Sequence, residues 1–401
     1  MKLPFAFLLY SCIHLIECKL YEFSSLDSPI FVSPPIGLNR GRIFGSVTLN
    51  SFGPSLLFIM SESQHEIGKD LDLDEMDGRP YVFSTVFENE VKFDVDINLF
   101  DRFVVGIWVP NKGPLTYGSM TVDWIQSNGN FLQYQYTQLG DGLVTLLSVS
   151  AAFAFGYLFW YILLGYKHTT KLHVFYVCVF VYILAFLTSW IEGIYIEGVT
   201  GDRDGWRTKW VPSLYEKGFD ILEVLVYLLT ALGWQSMRES LTFNEIQLIT
   251  SGGLLSLCLG ILEINCDGDE IQCGGYTSTR MIIHMFGYLS AIVAFNYHLA
   301  YLNASVNEGS IANAQTGFLY IKMKSFWWFR IIFFGFIIQP TIAVMIRADI
   351  LGWEDEWLFV IFFWSTKFAL LGAIALSFRP IRGNLQIVKL AIKERRRTQR
   401  L

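Results

Sequence analysis

Hydrophobic positions divide the chain into three regimes. A short apolar stretch from Leu3 to Ile16 follows Lys2 and ends in the polar exit Glu17-Cys18. A mostly polar segment of about 120 residues comes next, long enough to close one folded core. Seven apolar runs of bilayer-spanning length follow it. They lie at about Gly142 to Leu164, Leu172 to Ile191, Phe219 to Trp234, Ile246 to Leu262, Met281 to Tyr301, Phe326 to Val344 and Trp357 to Phe378. The pattern predicts an α-helical membrane protein: a seven-transmembrane bundle at 142–378, preceded by a small all-β domain at 19–138 and followed by a basic tail at 379–401. The leader's apolar core is short for a span, so residues 1–18 read as a cleaved signal peptide. The rival reading is an uncleaved anchor, which would add an eighth span.

Between Lys19 and Gln138 the helical period gives way to short β-type runs. These are Arg42 to Asn50, Ser55 to Met60, Tyr81 to Phe87, Val91 to Leu99, Phe103 to Val109 and Met120 to Ile125. From Val91 to Leu99 apolar and polar residues alternate, as in a strand with one buried and one wet face. Turn signals at Ser33-Pro34-Pro35 and Pro110-Asn111-Lys112-Gly113-Pro114 separate the runs, and the whole reads as an antiparallel β-sandwich. Asp70, Asp72 and Asp74 have the spacing of an EF-hand's first ligands. However, Glu75 stands where the loop needs Gly, and Tyr81 where it needs a bidentate Glu. That stretch therefore reads as a solvated acidic loop, and no metal is implied.

Composition fits the membrane assignment. The 401 residues are 53% hydrophobic and 16% charged, against roughly a quarter charged in soluble domains. The net charge of −6 hides an asymmetry, with acids early and bases late, and neither end reads as a nucleic-acid surface. With the first domain exported, Lys167, Lys171, Arg238, Lys322, Lys324 and the tail from Arg379 to Arg400 face the cytoplasm, as the positive-inside rule requires. The same topology puts Cys266 and Cys273 on the oxidising side, where a disulfide closing their loop is expected. Cys178 and Cys258 lie within spans and read as small apolar fillers. The sequon at Asn303 falls on the cytoplasmic side, so no glycan is expected there.

Charges within spans are costly and mark candidate functional residues. In the third span Asp220 and Glu223 lie one turn apart, with Tyr227 continuing the stripe. The fifth span carries His284, with Arg280 at its mouth. Asp220 and Arg280 read first as interfacial charges. Lys367 lies near the middle of the seventh span, flanked by Ser365 and Thr366. It reads as a buried lysine paired with a carboxylate, Glu223 first, or as one snorkelling along its helix. A mid-membrane lysine in a last helix also resembles the Schiff-base lysine of retinal-binding proteins, but no other opsin signature surrounds it. His168 and His173 flank the first cytoplasmic turn, where a polar loop accounts for them. No HExxH, P-loop or GxSxG motif occurs, so neither an enzyme nor a cofactor is indicated.

The third span and its exit (Gly218-Phe219-Asp220-Ile221-Leu222, Leu228-Leu229, Gly233-Trp234, then Arg238) and the sixth (WWFRIIFFGFIIQPTIAVM, with Pro340) carry a resemblance. With the leader, sandwich, bundle and basic tail, they resemble the GOLD-domain seven-transmembrane proteins, most nearly the intimal thickness-related receptor family, whose membrane region is classed as rhodopsin-like. The resemblance implies receptor-like, G-protein-coupled signalling by a plasma-membrane protein. For wider relatives such as the Wnt-carrier proteins it implies trafficking through Golgi or endosomal membranes. The chain departs from ordinary rhodopsin-type receptors in lacking Asp-Arg-Tyr after the third span and Asn-Pro-x-x-Tyr in the seventh. The expectation is a receptor with Asp220, Glu223, Tyr227, His284 and Lys367 lining an outer ligand cavity. Its expected partners are membrane lipids, an extracellular or luminal ligand, and a G protein or trafficking partner at the cytoplasmic face. A secretory-pathway cargo or lipid carrier is the alternative, and a channel the third reading.

Overall fold

The computed structural model describes residues 20–24, 30–50, 53–62, 64, 81–109, 117–164, 171–203, 205–266, 270–307 and 313–379. The expected signal peptide, the acidic loop around Asp70 to Asp74, Lys167, His168 and the basic tail beyond Arg379 lie outside the described residues.

Among the described residues, seven strands precede the helices: β1 (Leu20–Ser24), β2 (Ile30–Val32), β3 (Ile36–Asn50), β4 (Ser55–Ser61), β5 (Phe83–Phe87), β6 (Glu90–Trp108) and β7 (Tyr117–Gln126). They form one antiparallel sheet in the order β1-β7-β3-β6-β4-β5, with β2 also on β6. The runs expected as separate strands, Val91 to Leu99 and Phe103 to Val109, are one strand. Asp101 and Arg102 look like a turn in the sequence, yet they stay in register opposite Leu38 and Gly37, and Arg102 pairs with Glu62 at 2.9 Å. At Phe103 the strand changes partner: Phe103 faces Ile36 of β3 and also Ser61 of β4. β6 thus joins both halves of the sheet into a single ladder, where two separate sheets were expected. A common core holds the halves together, with Ile43 and Val47 of β3, Leu57 and Ile59 of β4, Phe93, Ile97 and Ile107 of β6, and Val122 of β7 all buried in it. The alternation read in the sequence is realised, since Phe93 and Ile97 are buried while Lys92, Asp94 and Asp96 are exposed.

The helices are α1 (Leu139–Leu164), α2 (Lys171–Thr200), α3 (Val211–Ala231), α4 (Phe243–Ile264), α5 (Glu270–Asn307), α6 (Asn313–Asp349) and α7 (Glu356–Ser377). Six of them, all but α3, are long and apolar enough to cross a membrane, as a multi-pass integral membrane protein requires. Their outward faces carry large apolar side chains, among them Phe155, Val181, Leu254, Phe286, Ile338 and Leu358. Glu216, Lys217, Asp220 and Glu223 keep α3 from reading as an apolar span, and also conceal its first turns, which begin at Val211 and not at Phe219. It ends at Ala231, before Gly233 turns the chain through a φ of 67°.

α3 runs antiparallel along α2. Tyr182 Oη donates to the Tyr215 carbonyl at 3.0 Å, the Phe186 and Phe219 rings stack at 6.1 Å, and Tyr176 Oη lies 2.9 Å from Thr230 Oγ1. Beyond the helix end, Phe175 meets Trp234 at 6.4 Å. No residue of α3 is exposed. The helix with the charges is the one withdrawn from the outer surface.

Side chains from neighbouring helices hold the far end of the bundle. His173 is buried in α2, not in a polar loop, and its Nε2 donates to the Phe378 carbonyl at 2.9 Å. His298 Nε2 and Arg238 Nε both donate to the Leu232 carbonyl at 3.1 Å, and Lys322 Nζ donates to that of Ser236 at 3.2 Å. The contacts at Phe378 and Leu232 satisfy carbonyls that a helix terminus leaves open. Asn303 lies within α5 and not in a loop. Cys178 and Cys258 are on exposed helix surfaces, so they do not fill the interior.

At the opposite end the β domain docks through Arg203, which follows α2 and is 3% exposed. Its guanidinium lies 3.5 Å from the Trp124 ring centroid. It pairs with Glu197 at 3.1 Å and Asp123 at 3.4 Å, and donates to the Phe131 carbonyl at 2.8 Å. A second contact sets the Phe100 ring of β6 tilted against Trp353, before α7, at 5.2 Å. Cys266 and Cys273 form a disulfide with Cα atoms 5.7 Å apart, tying the end of α4 to the start of α5.

Two outcomes follow. Arg203→Ala should cost about 3–5 kcal/mol, the usual cost of breaking a buried pair, and should expose the β domain to limited proteolysis at a lower temperature than in the parent protein. Mass spectrometry of non-reduced peptides should recover Cys266 linked to Cys273. By the loop-entropy model, reduction should cost roughly 2–3 kcal/mol.

Candidate functional site

Along α3 the polar residues recur as Glu216, Asp220, Glu223, Tyr227 and Thr230. Steps of three and four residues put them on one face of the helix. Since the other helices enclose α3, that face looks into the bundle, where unpaired charge is costly. Apart from Glu216, the charges near the domain-facing end meet opposite ones. Lys217 Nζ donates to Glu263 Oε1 of α4 at 2.7 Å. Arg280 of α5 takes the other oxygen of Glu263 at 3.1 Å through Nε and Asp220 Oδ2 at 2.7 Å through Nη1. Deeper in, Lys367 Nζ of α7 donates to Glu223 Oε2 at 3.2 Å. The chain of pairs ties α4, α5 and α7 to α3.

Lys367 therefore has the carboxylate partner expected of it, and aromatic faces surround it as well. Its Nζ lies 5.1 Å from the Phe363 ring, 5.2 Å from Trp364 and 5.8 Å from Phe219, within the range of cation–π attraction. Asp220 and Arg280 are bound to each other and are not exposed at an interface; the Arg280 side chain is 6% exposed. His284 is 2.7 Å from Ser256 Oγ of α4, one of only two buried residues on that peripheral helix.

Tyr227 sits one turn beyond Glu223 among rings, 4.6 Å from Phe336, 5.3 Å from Phe333 and 6.2 Å from Tyr288. It marks the change from an ionic to an aromatic interior. All five candidate residues, Asp220, Glu223, Tyr227, His284 and Lys367, lie on or against the polar face of α3, where the Asp220–Arg280–Glu263–Lys217 ion pairs, the Glu223–Lys367 pair and the His284–Ser256 contact form one interior polar region. Two of its polar atoms have no hydrogen-bond partner among the described residues, Glu223 Oε1 and the Tyr227 hydroxyl, although both residues are buried.

Four members were not anticipated from the sequence: Glu216, Lys217, Glu263 and Ser256. Lys217 precedes the apolar run by which the third span is recognised, and Glu263 follows the fourth. Their signal is complementary charge at adjoining ends of consecutive spans, visible only once those helices are extended by a turn. Chemically, the network can hold charge inside the bundle and couple helix positions. The sequence matches no known protein-family model and no curated protein.

The pair between α3 and α7 is testable by a double-substitution cycle. Lys367→Met and Glu223→Gln should each destabilise the folded protein by about 2.5–3.5 kcal/mol, the insertion-scale cost of a lone charge deep in a membrane. The double variant should recover part of that loss, because neither charge is then left unpaired. Strictly additive losses in thermal unfolding in detergent would show that the two residues are independent.

Proposed function

We propose that this is a receptor-like seven-transmembrane protein in which ligand or partner binding at an exported β domain is transmitted into the bundle through α3. α3 is the seventh crossing in this reading. At 1.5 Å per residue its helix is about 31 Å long, matching a hydrocarbon core of about 30 Å. Its antiparallel run along α2 makes the bundle ends alternate consistently. The observation that carries the reading is Arg203. This buried side chain grips Trp124 and Asp123 of the β domain just before the chain turns into α3. A ligand that shifts the β domain thereby shifts α3, and with it the pairs to Arg280 and Lys367. The basic residues beyond α7 favour a cytoplasmic C-terminus, and the far-end turn from Gly233 to Arg238 is then the natural face for a G protein. The GOLD-like, intimal thickness-related receptor family remains the best description of this combination of parts.

Sealed vesicles and cell imaging test the proposal. Protease added outside cells should remove the β domain and leave an epitope after Arg400 intact, and a tagged protein should reside at the plasma membrane. Both ends digested from one side would refute the seven-crossing topology. Steady-state residence in Golgi or endosomes, with the same topology, would favour the cargo or lipid carrier over the receptor.

A further inference from the structure

We propose that α3 carries a proton-binding site: one exchangeable proton, seated on Glu223, taken up from the side of the bundle that faces the β domain. The inference holds whether the protein signals or carries cargo, because it concerns only the interior network.

Charge balance comes first. Among the described residues, ion pairs match three carboxylates (Asp220, Glu223 and Glu263) with three cations (Lys217, Arg280 and Lys367), and Glu216, one turn before Asp220 on the same face of α3, adds a fourth carboxylate that no ion pair engages. One negative charge is left over in a bundle that elsewhere turns apolar surface outward, and one proton balances it. Geometry decides which acid takes the proton. Glu263 has both oxygens engaged, by Lys217 and Arg280. Asp220 is held by Arg280, and its side chain is 24% exposed, while Glu216 is only part-buried. Glu223 is 2% exposed, gives Oε2 to Lys367 and leaves Oε1 without a partner. One turn further along the same face, the Tyr227 hydroxyl is also buried and unpartnered, a group able to accept a hydrogen bond from a carboxylic acid.

Every helix packed against this point has a place in the account. α2 offers the Tyr182 hydroxyl, held on the Tyr215 carbonyl. α4 offers Ser256 and Glu263. α5 offers Arg280, Tyr288 and His284, the last already hydrogen-bonded to Ser256. α7 offers Lys367, and α6 brings the rings of Phe329, Phe333 and Phe336 around Tyr227. A metal cation would need about six oxygens, whereas a proton needs one acceptor. The part-buried Glu216 and Asp220 lead inward along α3 to Glu223, a relay of carboxylates one turn apart.

The step balances simply: the Glu223 carboxylate and a hydronium ion give a carboxylic acid and water, while Lys367 remains an ammonium. Three carboxylates then face three cations. The α3–α7 ion pair becomes a hydrogen bond from an ammonium to a neutral acid, so acidity on the domain-facing side sets how tightly α3 and α7 are joined.

Infrared difference spectroscopy of the full chain in lipid nanodiscs tests this, comparing neutral with acidic buffer. A protonated-carboxyl band of about one group per chain should grow on acidification. It should shift on carboxyl-13C labelling of glutamate but not of aspartate. Glu223→Gln should abolish it, and Asp220→Asn should retain it. Should Glu223→Gln fail to fold, Glu223→Asp decides, because the band must then follow aspartate labelling in place of glutamate labelling. The proposal is overturned by the absence of a titrating carboxyl band, by a band in the parent protein that follows aspartate, by a band that survives Glu223→Gln, or by a band that still follows glutamate in Glu223→Asp. A titration that moves when sodium replaces N-methylglucamine would also overturn it, since a metal cation would then be the occupant.

Discussion

The cost of charge in an apolar medium organises this structure. α3 carries Glu216, Lys217, Asp220 and Glu223 in its first half, and a helix so composed cannot face lipid. It is enclosed, and the other elements are arranged to enclose it. α4 illustrates the consequence. Most of its surface is turned outward, and its buried residues, Ser256 and Gly260, lie where it meets His284 and Lys217. A Cβ on Gly260 would stand 3.1 Å from the Lys217 side chain, so the lysine stem lies against bare backbone there. α4 thus covers a charged stem and supplies Glu263 to its tip. Burying ions is no source of net stability in itself, because desolvation opposes the attraction. What the pairs supply is a defined register of α3 against α4, α5 and α7.

The same helix receives the β domain. Arg203 ends the segment after α2, and the Trp206–Trp210 turn passes from it directly into Val211. A guanidinium suits this junction. Its flat face lies on Trp124 while its edge donates to Glu197, Asp123 and the Phe131 carbonyl. A lysine, as a point charge on a flexible stem, could not make all four contacts. Trp353 gives a second footing near the start of α7. The two footings lie beside the two helices that the Glu223–Lys367 pair joins.

Much of this arrangement was legible in the sequence, for a physical reason. Residues such as Glu223 and Lys367 stand out within apolar runs, and the number of ways to neutralise a deep charge is small, so their pairing could be anticipated. Long apolar stretches marked all seven helices, α3 only from Phe219 onward, and strict alternation marked the middle of β6. Less was legible wherever partners decide structure. Asp101 and Arg102 resemble a turn until β3 holds them in register. β1 and β2 are too short to announce themselves, and one sheet cannot be told from two without knowing that β6 changes partner at Phe103. Lys217 and Glu263 were missed because a charge at the edge of an apolar run reads as the end of a helix. Here each is the reason the other can continue it.

Both ends of α3 are fixed by groups from other elements, and its middle changes character at Tyr227. Toward the β domain its contacts are ion pairs together with the Phe219 ring packed on Phe186, Trp364 and Phe368. At Tyr227 they become rings alone, followed by the Tyr176–Thr230 hydrogen bond, until Arg238 and His298 meet the Leu232 carbonyl. Packed aromatic interiors resist gradual deformation, whereas ion pairs lengthen continuously. In the receptor reading proposed above, a displacement entering at Arg203 is taken up first in the ion pairs and repacks the rings around Tyr227 only when it is large, a stepwise response centred where Glu223 and Tyr227, one turn apart, each keep a polar atom unengaged.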